Sequence, residues 1–213
     1  MTELFAPPAA VVGGSVVSFA SGLPASHRED VYMSTAFAQN ATRAAFEAGL
    51  SGEWFEYYCN QLRFLGWDVP RPQAFVPEQG GVMAGQAINR ISTRLGADFA
   101  WPMSRALKQM ERNASASELF DSTVLRAQGS IFQLIPCVMS GPNRVDMGVY
   151  HRQFKLERMA TGFLFLDDQS LISNSLEQMA LISFNTLHYG TFREKVKKSV
   201  LTQSLKYLSE LEL

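Results

Sequence analysis

The hydrophobic period of this chain turns from helical to strand-like at Gly129, and that change restricts the fold more than any other feature. Before it, apolar residues recur at three-and-four spacing; after it, they come in short runs and alternations. Val31, Ala38, Thr42 and Ala45, flanked by Phe37, Ala41, Ala44 and Ala48, predict a helix over 29–48. Glu29 and Asp30 sit where its dipole favours negative charge, and Gly49 ends it. Trp54, Tyr58, Leu62 and Leu65 predict a second helix over 52–65, stopped by Gly66, so the two make a helical hairpin. Pro70, Pro72 and Pro77 predict an extended connector. Ala84, Ile88, Ile91 and Leu95 mark a third helix. Pro102 suits the first turn of a fourth, which carries Met103, Leu107 and Met110, and a fifth is expected over 117–126.

Beyond Gly129, the apolar run 131–139, the turn Gly141-Pro142-Asn143 and the alternation of Val145, Met147 and Val149 predict a β-hairpin. Phe163 to Leu166 predict a third strand and 179–184 a fourth, and 187–208 reads as a terminal helix. Helices followed by sequential strands predict an α+β fold: N-terminal helices, a three- or four-stranded antiparallel meander, and a C-terminal amphipathic helix. A βαβ alternation is missing, and with it the expectation of a nucleotide crevice.

Leu4 to Ser26 contain no Lys, Arg, Asp or Glu, but Pro7, Pro8, Gly13, Gly14, Gly22 and Pro24 interrupt the stretch, so it suits neither a spanning helix nor a helix-forming leader. The first basic residue is Arg28, after the apolar stretch, which predicts a chain that is cytoplasmic at synthesis and leaves leaderless export open. Val11, Val12, Val16 and Val17 within 1–28 predict an extended arm that covers a sheet edge, its own or that of a neighbouring subunit, while 29–213 form a single α+β domain.

Composition removes several function classes. Hydrophobic residues make up 46% and charged residues 18% of the 213, which excludes disorder as the default state. Nineteen basic residues face twenty acidic ones, so no global field attracts nucleic acid, and a membrane partner is left without support. No cofactor or metal site is expected, because no Cys/His cluster has ligand spacing. Cys59 and Cys137 lack the basic neighbours that make a thiolate and read as buried, inert thiols. Trp54 and Trp67 are expected as buried anchors, with Tyr57 facing outward. The last helix holds the one local basic concentration.

These readings place a candidate interaction surface at Tyr57, Arg193, Lys197, Lys198, Val11, Val12, Val16 and Val17. They favour a non-enzymatic binding or self-assembly protein, either a homo-oligomer or the partner of another protein. The alternatives are a membrane-active toxin or effector and, behind it, a hydrolase that uses one of the two cysteines.

Overall fold

The structure is a computed structural model that describes residues 7–49, 53–78, 80–125, 129–158, 160–167, 172–203 and 208–211. Its strands are β1 Ala9–Val12, β2 Ser15–Phe19, β3 Gln73–Phe75, β4 Ser130–Gly141, β5 Arg144–Leu156, β6 Ile172–Asn185 and β7 Leu208–Leu211. Its helices are α1 Ala25–Glu47, α2 Trp54–Phe64, α3 Met83–Leu95, α4 Ala97–Arg112, α5 Ala114–Val124, α6 Thr186–Tyr189 and α7 Arg193–Gln203. The strands form one sheet in the order β3-β6-β5-β4-β2-β1-β7.

The α+β class holds, and β4, β5 and β6 are the expected antiparallel meander. The sheet as a whole is larger and mixed, because β2 joins β4 in parallel. Helices cover both of its faces. Ala10, Val12, Val17, Ile135, Cys137 and Val145 point into a core closed by α1, α2, α6 and α7. Their alternating neighbours Ala9, Val11, Val16, Phe132, Leu134 and Tyr150 point into a second core under α3, α4 and α5. The result is three layers with the sheet in the middle.

Of the two edges that the N-terminal segment could cover, the one it pairs with is its own chain's, and it does so as part of the sheet. Over their described part, residues 1–28 are an interior hairpin followed by the first turn of α1; residues 1–6 lie outside the described residues. β2 is held between β1 and β4, and β1 between β2 and β7. A strand buried on both faces needs apolar residues at consecutive positions, which is why paired valines stand where a surface strand would alternate. The meander edge that an arm was expected to cover is taken by β2 of the same chain.

Other departures have local causes. Phe163–Phe165 is a single 3-10 turn rather than a strand. Gly162, at a φ of 67°, turns the chain so that the Phe163 ring drops among Phe120, Phe132 and Phe154, with centroids 5.2–5.9 Å away. The expected helix over 187–208 is broken into α6 and α7, then β7. Asn185 caps α6 by accepting from the Leu187 and His188 amides, and a Cβ at Gly190 would come within 3.0 Å of the Leu187 carbonyl. Residues 204–207 of that expected helix lie outside the described residues. α4 starts at Ala97, so Pro102 lies inside it rather than in its first turn, and the proline-rich connector carries the three-residue edge strand β3.

Candidate functional site

A cleft of about 730 Å³ opens where α1, the β1–β2 turn, the end of α5 and the strands β4 and β5 meet. Its floor is built by long-range pairing. β2 and β4 bring Ser15 directly opposite Gln133, and α1 lays Gln39 over both. The Gly14 amide donates to Gln39 Oε1 at 3.2 Å, and Ser15 Oγ donates to Gln133 Oε1 at 2.9 Å. Gln39 Nε2 donates to Ser15 Oγ and, at 3.5 Å, to Gln133 Oε1. The turn favours glycine: Gly13 has a φ of 56°, and a Cβ there would press on the Gln39 amide.

This network closes all but one position. Gln133 is 1% exposed, and its Nε2 has no hydrogen-bond partner. An unmade hydrogen bond at a buried donor costs about 1–3 kcal/mol. Gln133 lines the cleft, and an unmade bond next to a ligand-sized space is of the kind that a bound molecule satisfies.

The wall beside it is aromatic. Gln133 lies opposite His151 on β5, and the His151 ring stacks on Phe55 at 4.5 Å with 2° between planes, and on Trp54 at 5.6 Å with 13°. Trp54 also stacks on Tyr58 and reaches the cleft, where Phe46, Val124 and Ile131 add apolar surface. Burial pushes the His151 pKa down to about 3, so the ring is neutral near physiological pH, and its Nδ1 also has no partner. Arg43 and Glu47 stand one turn apart on α1 at the side of the cleft.

The other face of the sheet holds a polar network of a different kind. Arg152, fully buried on β5, donates to Ser175 Oγ at 2.9 Å and to Gln86 Oε1 at 2.6 Å, while Arg90 donates to Glu177 Oε1 at 2.7 Å. These bonds fix α3 to the β5–β6 pair.

The residues named from sequence are dispersed by the fold. Val11, Val12, Val16 and Val17 are buried in the sheet. Arg193 is bound to Asp30 at 2.7 Å and Lys197 to Glu29 at 2.8 Å, so both are engaged within the chain. Tyr57 is half-buried on α2, and Lys198 is the one member of the eight that is exposed. Trp67 is buried and stacked on Phe184 at 3.9 Å, as expected of an anchor, whereas Trp54 is only half-buried because one side of it borders the cleft. Burial pushes the Cys59 thiol up to about 12 and the Cys137 thiol well above its ordinary value of 9.0, so neither is a thiolate at neutral pH.

The sequence reading missed Gln39, Ser15 and Gln133. Their signal was a polar side chain at a position where the period calls for an apolar one: Gln133 interrupts the run 131–139, and Gln39 lies on the buried stripe of α1 between Ala38 and Thr42. Among the described residues, no three His, Cys, Asp or Glu side chains converge on a metal-sized site, and no helix is long and apolar enough to cross a membrane. No protein-family model matches the sequence, and no curated protein is similar to it. Among solved structures, the chain is similar to one described as the structure of the Evf virulence factor, with a TM-score of 0.37 and 10% identity over 95% of this chain and 86% of that one.

Proposed function

We propose that this chain is a non-enzymatic binding protein whose ligand is a small molecule seated in the cleft between α1, α2 and the β4–β5 pair. The observation that carries the reading is the Gln133 amide donor, buried and without a partner in the wall of an otherwise hydrogen-bonded floor. The volume of about 730 Å³ suits a drug-sized molecule, and few polar groups among apolar walls is the usual composition of such sites. The two thiols, both held protonated, support binding over cysteine chemistry.

The test is a ligand-detected NMR screen of small fragments against the full chain and against Gln153→Trp. Gln153 is half-buried at the cleft, so a tryptophan there fills the space without entering a core. Fragments that bind the wild type, raise its melting temperature and lose affinity for Gln153→Trp support the reading. Steady chemical conversion of a bound fragment by the protein would move the chain to an enzyme. Equal binding to the filled variant would place the site elsewhere.

A further inference from the structure

We infer that the ligand, on the reading just given, is an uncharged molecule with a flat aromatic body and a carbonyl-type acceptor at its buried end, the ring lying along Trp54 and the oxygen taking the free Gln133 N–H. The inference follows from which capacities the floor has already used. Gln39 Oε1 is occupied by the Gly14 amide, and Gln133 Oε1 by Ser15 Oγ and Gln39 Nε2. What remains open is the Gln133 Nε2 donor. A donor calls for an acceptor, and a ligand presenting only an N–H at that point would leave two donors facing each other.

Charge decides between acceptors. Among the described residues, the ionisable side chains lining the cleft are Arg43 and Glu47, one of each sign. The groups at the floor itself are carboxamides and a hydroxyl, with a wholly buried imidazole next to them. Moving a carboxylate out of water costs several kcal/mol, and a single neutral amide N–H does not restore that. A ketone, ester or amide oxygen brings little desolvation cost and completes the network.

The body of the ligand is set by the wall. Trp54 lies within an array of nearly parallel rings, tilted by 11° from Tyr58 and 13° from His151, and the array continues to Phe55. An aromatic ring against Trp54 extends that array by offset stacking. Phe46 and Ile131 offer further apolar contact.

Three matched probes test the class: acetylnaphthalene, isopropylnaphthalene and naphthoate, titrated into the wild-type chain while the Gln133 side-chain amide and Trp54 indole resonances are followed. Acetylnaphthalene is expected to shift both resonances and to bind about tenfold more tightly than isopropylnaphthalene, which has the same shape and no acceptor. In Gln133→Glu, which keeps the acceptor for Ser15 and loses the donor, that preference is expected to vanish. Equal affinity of the two neutral probes, or tightest binding by naphthoate, overturns the ligand class while leaving a binding cleft in place. If none of the three moves the Gln133 or Trp54 resonances, the class and the cleft reading both fall. The wild-type comparison stands whether or not the variant folds.

Discussion

Arg193 donates from Nε and Nη2 to the two carboxylate oxygens of Asp30, each at 2.7 Å, and so ties α7 to α1 across 163 positions of sequence. The pair is asymmetric: the Asp30 side chain is 2% exposed and that of Arg193 is 42% exposed. Burial raises the Asp30 pKa above 3.8, against the lowering effect of the guanidinium. Arg193→Met therefore strands a carboxylate in the interior and is expected to cost about 3–5 kcal/mol, whereas Asp30→Asn leaves a cation that water reaches and should cost about 1–2 kcal/mol. In Arg193→Met the fold holds a proton that the unfolded chain releases, so its deficit shrinks as pH falls through the raised Asp30 value. Urea unfolding of both variants checks the order; a larger loss in Asp30→Asn would contradict it.

His151 has the opposite sign. The unfolded chain binds a proton near 6.5, while the folded chain refuses it until about 3. Stability is full above the first value and falls as pH drops between the two, the unfolding constant rising roughly tenfold per pH unit. His151→Phe keeps the ring stack on Phe55 and removes the unpartnered Nδ1. Urea melts at about pH 7 and about pH 5 should show the variant losing much less between them than the wild type. An equal loss in both proteins would assign the acid limb to other groups.

What was legible in the sequence was what is local. The stripe on α1 and the glycine stops at Gly49 and Gly66, with φ values of 70° and 83°, follow from spacing and from one backbone conformation. The β4–β5 hairpin follows from its turn residues. Illegible was the partner of each apolar run. Nothing near Val16 indicates that it pairs with Leu134, and Phe163 to Leu166 carry the composition of a strand while serving as a plug under α5. The candidate site shared this fate, since its floor joins Ser15, Gln39 and Gln133 from three elements, and no motif links residues that far apart.

At alkaline pH the buried thiols and phenols act together. Cys59 is pushed up to about 12 and Tyr58, Tyr150 and Tyr189 are raised above 10.0, each chiefly by burial. A raised native value means that the stability contribution is intact below the unfolded value and is lost as pH climbs, here from about 9 upward. Iodoacetamide at mildly alkaline pH should leave both cysteines of the folded chain unmodified and label them in urea. Absorbance titration should show these three tyrosines ionising only in the unfolding transition. Rapid labelling of native Cys59 would contradict its burial.

Trp54 and Trp67 belong to the same helix–turn segment but stand in different surroundings, and their truncation separates packing from site. Trp67 is 3% exposed and lies against Phe184, so Trp67→Ala opens a cavity in the core beneath α2 and is expected to cost about 3–5 kcal/mol. Trp54 stacks on Tyr58 and His151 but is only half-buried and also borders the cleft, so Trp54→Ala is expected to cost roughly half as much, because fewer buried contacts are lost. Fluorescence distinguishes the two directly once Trp101, which is 63% exposed, is replaced by phenylalanine. In that background iodide should quench the Trp54 component and leave the Trp67 component nearly untouched. Equal protection of both would mean that Trp54 is closed off from the cleft, and equal stability losses would make it a core anchor like Trp67.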